Sequence, residues 1–128
     1  MFTHANQFIF YGIDNLNNKL DSIIKSLDVK NKYFEIRLIM YEAINNAFIH
    51  GNNKDKNKPI IVMWNIERNY LNITVKDCGI NKEKLKICKN IDENSLLEES
   101  GRGLFIISSY ADEVKFKGRC IVIKKSLI

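Results

Sequence analysis

The stretch Glu42-Ala43-Ile44-Asn45-Asn46-Ala47-Phe48-Ile49-His50-Gly51 decides how this chain is read. It falls in a segment from about Asn31 to Ile49. There Ile36, Met40, Ala43 and Ala47 recur at spacings of three and four, which marks the apolar side of one helix. On that helix Glu42, Asn46 and His50 recur every four residues and line up along neighbouring turns. A carboxylate, an amide oxygen and an imidazole on one face can meet a metal-nucleotide. The same three residues also suit the solvated side of an amphipathic helix. Gly51 is expected to end the helix, as a glycine just past a helix C-terminus often does.

Working outward, Gln7 to Ile13 is β-branched and aromatic and reads as a strand. Asp14 is placed to cap a helix carrying Leu16, Leu20, Ile23, Ile24 and Leu27. Downstream of Gly51, Asn52 to Pro59 is a polar loop. Ile60 to Ile66 and Tyr70 to Lys76 are strands joined through Glu67-Arg68-Asn69. Asp77 to Ser100 is polar, with Lys82 to Cys88 as a possible short helix. A stretch this long without clear period is usually functional or mobile. Gly101 to Tyr110 is a glycine-rich loop leading into an apolar helix. Val114 to Phe116 and Cys120 to Lys124 close the chain as strands joined through Gly118. The order β-α-α-β-β-loop-α-β-β predicts an α+β two-layer sandwich, with helices on one face of a mixed, mostly antiparallel sheet. At 128 residues the chain is expected to form a single domain over 1–128.

Composition excludes several classes. The 45% hydrophobic and 27% charged content is that of a soluble globular protein. No apolar run nears the ~20 residues of a membrane span. The start of the chain has no signal-peptide pattern, so the expected location is cytoplasmic. Cys78, Cys88 and Cys120 are too widely spaced for a CxxC site or a disulfide framework and read as reduced thiols. The net charge of +5 is spread as lysines among acids, the densest run being Lys54, Lys56 and Lys58 around Asp55. With no RNA-binding or zinc-finger motif beside it, this reads as a solvated loop and not a nucleic-acid surface. Trp64 reads as a core or sheet residue, and His4 as exposed.

Two more stretches carry chemistry. In Val75-Lys76-Asp77-Cys78-Gly79 a strand ends in an aspartate that can accept from an exocyclic amine. Gly79 follows, letting the backbone approach a flat ligand. Asp-x-Gly is also an ordinary turn. In Glu99-Ser100-Gly101-Arg102-Gly103-Leu104-Phe105-Ile106-Ile107, glycines open a helix whose bare N–H groups suit phosphate.

The order and spacing of these three stretches resemble the N box and the two glycine boxes of the gyrase, heat-shock chaperone, histidine-kinase and mismatch-repair (GHKL) ATPase superfamily. The resemblance runs from about Gln7 to the C-terminus. Within the superfamily the chain looks most like the bacterial anti-sigma-factor serine/threonine kinases. It carries Glu42 where histidine kinases usually place asparagine, and it has no room for their phospho-acceptor helix pair.

The resemblance implies an ATP site with Mg²⁺. Glu42 would be the general base that takes the proton of a substrate serine, and Asn46 would hold Mg²⁺. His50 would lie near the phosphates. Asp77 would accept from the adenine amine, with Gly79 packing by the ring. Gly101, Arg102 and Gly103 would line the phosphates on the ATP lid, and Leu104 would begin the helix behind it. The implied partners are a sigma factor and a STAS-type anti-sigma-factor antagonist, bound by a homodimer. The chain departs from the family after Asp77-Cys78-Gly79, continuing Ile80-Asn81-Lys82-Glu83 with no second glycine. A protein-binding switch without kinase turnover is therefore the alternative reading. A nucleic-acid-binding domain, suggested by charge alone, is the third.

Overall fold

Strand β1 (Asn6–Tyr11) begins the part of the chain described by the computed structural model, which covers residues 6–27, 29–79 and 99–128. Its aromatic and β-branched run suits a pleated surface. The strand stops at Gly12, whose φ of +78° is open to glycine. Helix α1 (Leu16–Lys25) follows. Its N-cap is Asn15 and not the expected Asp14. Asn15 sits in the left-handed region at φ 56° and its side chain makes no capping bond. Asparagine tolerates that conformation better than most residues, so the chain turns one residue later. Asp14 instead lies exposed, 3.8 Å from Lys56 Nζ.

A 3₁₀ turn (Lys30–Lys32) leads into helix α2 (Tyr33–Asn46), which starts and stops inside the expected 31–49 span. The helix gives way to a π turn, Ala47–Gly51. There the Asn52 N–H reaches back five residues to Ala47 O at 2.8 Å. Gly51 does not stand just past the helix end as expected but is the last residue of the π turn, and it is not at positive φ. It is a glycine because the Asp77 carboxyl group occupies the space a Cβ would need.

Strands β2 (Pro59–Glu67) and β3 (Tyr70–Lys76) form a hairpin with Glu67 opposite Tyr70. The connection is therefore the two residues Arg68 and Asn69, at φ 53° and 66°. Positive φ at both positions is the type I′ arrangement whose twist matches the strands. Helix α3 (Glu99–Tyr110) precedes the final hairpin of β4 (Glu113–Lys117) and β5 (Cys120–Ser126), which turns at Gly118 with φ 56°.

The sheet order is β1-β2-β3-β5-β4, and each of these pairings is antiparallel. Alternation sends Phe10, Val62, Val75 and Ile123 inward, and in one register row Val62 lies opposite Phe8 and Val75, with Val75 opposite Ile121. The helices cover that face. Ile36, Ile39, Met40 and Ile44 of α2 are fully buried, with α1 and α3 packed to either side of it. Trp64 belongs to this core. At roughly 2 kcal/mol for each large apolar side chain removed from water, this layer supplies the main drive to fold. The short helix expected at Lys82 to Cys88, together with His4 and Cys88, lies outside the described residues. No helix among the described residues is long and apolar enough to cross a membrane.

Candidate functional site

The apolar face of α2 is pinned to the sheet, and this aims the polar face outward beside α3. Glu42, Asn45, Asn46, Ile49 and His50 line a small open cleft together with Gly103. Glu42 and Asn46 are half-buried and His50 is exposed. The four-residue spacing brings all three side chains to the border of one space. The π turn keeps His50 on this side although the α-helix has ended at Asn46.

Gly103 is buried, and a Cβ built on it would stand 3.2 Å from Glu42 Oε1. That contact brings the third stretch onto the first. The helix begins earlier than expected. Gly101 and Gly103 are its third and fifth residues, not a loop ahead of it, and Leu104 lies a full turn inside. The physical cause is packing. Ile107 is fully buried and Leu104 rests against the core, and this anchors a helix that two glycines would otherwise weaken by roughly 1 kcal/mol each. Gly101 and Arg102 lie in the first turn of the described helix, and Gly103 offers clearance beside Glu42. Arg102 is exposed.

The second stretch meets the first one residue beyond His50. Asp77 is 2% exposed, and its Oδ1 accepts the Gly79 N–H at 2.8 Å. Its own N–H donates to Arg119 O at 3.3 Å, which holds it to the last hairpin. Gly51 lies against the Asp77 carboxyl. A Cβ on Gly79 would fall 2.5 Å from Gly51 O. Two glycines and an aspartate therefore close on one another with no spare volume. Asp77 and Gly79 do not line the Glu42 cleft. Gly51 is the joint between the two.

Sequence reading missed three residues here. Asn45 and Ile49 border the cleft, and their positions beside Asn46 and His50 were the available signal. Asn52 is fully buried within an otherwise polar loop. Its Oδ1 accepts the Cys78 N–H at 2.7 Å, and its Nδ2 donates to Lys58 O at 3.1 Å and Pro59 O at 3.2 Å. Among the described residues no three His, Cys, Asp or Glu side chains converge as metal ligands.

The family model of the histidine kinase-like ATPase domain matches residues 21–125, and the chain belongs to that family. Its relatives narrow the class. It is 32% identical over 100 residues to the anti-sigma F factor of Clostridium perfringens strain 13, covering 73% of this chain and 71% of that one. It is 33% identical over 106 residues to the anti-sigma F factor of Geobacillus thermodenitrificans, covering 73% and 68%. The anti-sigma F factor of Geobacillus stearothermophilus is 31% identical over 99 residues, covering 72% and 68%.

Proposed function

We propose that this chain is a single-domain, ATP-dependent serine kinase and anti-sigma factor. It phosphorylates a serine on a STAS-type antagonist and, as a homodimer, sequesters a sigma factor. The observation that carries the reading is the facing of Glu42 and Gly103 across the cleft that Asn46 and His50 also line.

The residues fit the group they would hold. Glycine at 103 leaves room beside Glu42, where an added Cβ would stand 3.2 Å from Oε1, and glycine at 51 and 79 lets the Asp77 turn close against the end of the first stretch. When bound, ATP would supply the γ-phosphoryl group and Mg²⁺ would neutralise its charge. Asn46 would offer a hard oxygen to the cation, and His50 and the start of α3 would lie toward the phosphates. Asp77 would accept from the adenine amine, beside Gly79. Glu42 takes the proton of the incoming serine hydroxyl and orients its oxygen. Phosphoryl transfer asks the protein chiefly for such positioning and charge stabilisation. Support for the partners comes from relatives named anti-sigma F factor. Support for the dimer is the exposure of Ile9 and Tyr11 on β1, a strand that among the described residues pairs on one side only.

The test is calorimetry with Mg·ATP followed by phosphotransfer to an antagonist protein, comparing wild type with Glu42→Gln. Both proteins are expected to bind, and only wild type to transfer. Binding by both with no transfer from wild type would leave a nucleotide-gated protein-binding switch. No binding by either at millimolar ATP would end the nucleotide reading.

A further inference from the structure

We infer that Asn52 is a positioning residue for base recognition: its buried carboxamide fixes the Asp77–Gly79 turn and so sets which nucleobase the site accepts. This rests on the reading of Asp77 as the adenine acceptor. Asn52 lies outside the N box and outside both glycine boxes.

Asn52 is 0% exposed, although its neighbours Asn53 and Lys54 are exposed. Both ends of its side chain are used. Oδ1 accepts from Cys78 N–H at 2.7 Å, and Nδ2 donates to Lys58 O and Pro59 O at 3.1 and 3.2 Å. Its backbone is held as well, the N–H on Ala47 O at 2.8 Å and the carbonyl accepting from Asp55 N–H at 3.0 Å. One residue therefore joins the π turn, the loop, the start of β2 and the turn after β3. A carboxamide is the side chain that accepts at one end and donates twice at the other.

The Cys78 amide is the middle of the turn whose outer members are Asp77 and Gly79. Asp77 Oδ1 already holds the Gly79 N–H at 2.8 Å. Fixing the amide between them removes the remaining peptide rotation that would swing the carboxylate. Adenine presents an amine donor where guanine presents a carbonyl acceptor. A carboxylate fixed in place accepts from the first and repels the second, whereas a mobile one discriminates less. A residue built for this purpose affects the ratio of ATP to GTP affinity. A residue that only stabilises the fold lowers both together.

The experiment titrates wild type, Asn52→Ala and Asn52→Asp with Mg·ATP and Mg·GTP by calorimetry. It is run below the melting point of each protein, with circular dichroism confirming the fold. Asn52→Ala is expected to lose roughly tenfold in ATP-to-GTP preference, the scale of one lost buried hydrogen bond. Asn52→Asp keeps an acceptor for Cys78 N–H but turns a carboxylate toward two carbonyls. It is expected to melt lower and yet keep the wild-type preference. Equal losses for both nucleotides, an unchanged preference in Asn52→Ala, or unfolding of both variants would overturn the inference and leave the kinase reading standing. A wild type that binds ATP and GTP alike would do the same. A wild type that binds neither would bring down the nucleotide reading and this inference with it.

Discussion

Lys125 Nζ stands 2.7 Å from Glu35 Oε1 and 2.6 Å from Tyr110 O, so one buried ammonium ties β5 to the start of α2 and the end of α3. Lys125 is 6% exposed because alternation along β5 points it inward with Ile121 and Ile123. A cation at the last carbonyl of a helix is favoured by the helix dipole. The helix that carries Gly103 is thereby anchored at its far end by a residue of the opposite layer.

The Lys125 hydrogen bond, aided by its charge, holds the Glu35 carboxyl below the ordinary glutamate value of 4.5. A group whose folded value is depressed contributes stability above its unfolded value and loses it as pH falls through the folded one. Wild type should therefore melt progressively lower below about pH 4.5. Asp21 acts in the same direction, its carboxyl lowered by the Tyr33 hydroxyl and by Arg37. Glu35→Gln should remove part of the acid dependence at a cost of about 1 kcal/mol near neutral pH, a figure kept small because Glu35 is 30% exposed. Lys125→Met should cost more, about 1–3 kcal/mol, since it leaves Glu35 and Tyr110 O unanswered. Melting curves from pH 3 to 8, roughly the range in which carboxylates titrate, check both.

The expected strands and helices were legible because their signals are local. Leu71, Ile73 and Val75 alternate within one strand, and Ile36, Met40 and Ala43 repeat within one helix. The Glu42-Asn46-His50 row was legible for the same reason. What could not be read depends on distant partners. Asn52 looked like one more polar loop residue, yet its acceptor contact is 26 positions away at Cys78. Lys125 follows another lysine near the chain end, and its carboxylate partner is 90 positions away. Gly51 carried the right identity for the wrong reason. The spacing suggested a helix cap, and the structure shows a close approach to Asp77.

Gly51→Ala tests that distinction. A glycine held at positive φ would take alanine at a cost of about 1–2 kcal/mol through backbone strain, but Gly51 is not one. Here the added methyl meets the Asp77 carboxyl, buried at 2% exposure. The variant should lose about 1–3 kcal/mol or more from overpacking, and Asp77 should be displaced with it. Thermal melting combined with ATP titration reads both effects. Normal ATP binding by a folded Gly51→Ala protein would contradict the close-packing argument.

The β2–β3 turn holds Arg68 and Asn69 at φ 53° and 66°, and arginine has no preference for that region. Asn-Gly is the favoured pair for this turn type. The double change Arg68→Asn, Asn69→Gly should raise stability by about 0.5–1 kcal/mol without touching the site. Asn69→Val should lower it, because a β-branched side chain is strained at positive φ. Chemical denaturation midpoints give both values.

Tyr11 is 58% exposed and Ile9 42% exposed, neighbouring same-face positions on the edge strand β1. If this edge joins two copies, Tyr11→Glu should shift the population toward monomer in light scattering across a dilution series. Folding should be intact, since neither side chain belongs to the buried core. A wild type that is monomeric at all concentrations would remove the dimer from the proposal.

Gly103→Ala sets stability against function. Alanine is favoured over glycine inside a helix by up to about 1 kcal/mol, so α3 should gain. The new methyl would stand 3.2 Å from Glu42 Oε1, and the carboxylate must yield by a few tenths of an ångström. Displacement on that scale at a reacting group costs roughly tenfold or more in rate. The variant should therefore melt at or above the wild-type temperature while transferring phosphate more slowly. Gly103→Val, with a bulkier branched side chain, should deepen the loss. A Gly103→Ala protein that transfers phosphate at the wild-type rate would show that Glu42 does not act from the position it holds beside α3.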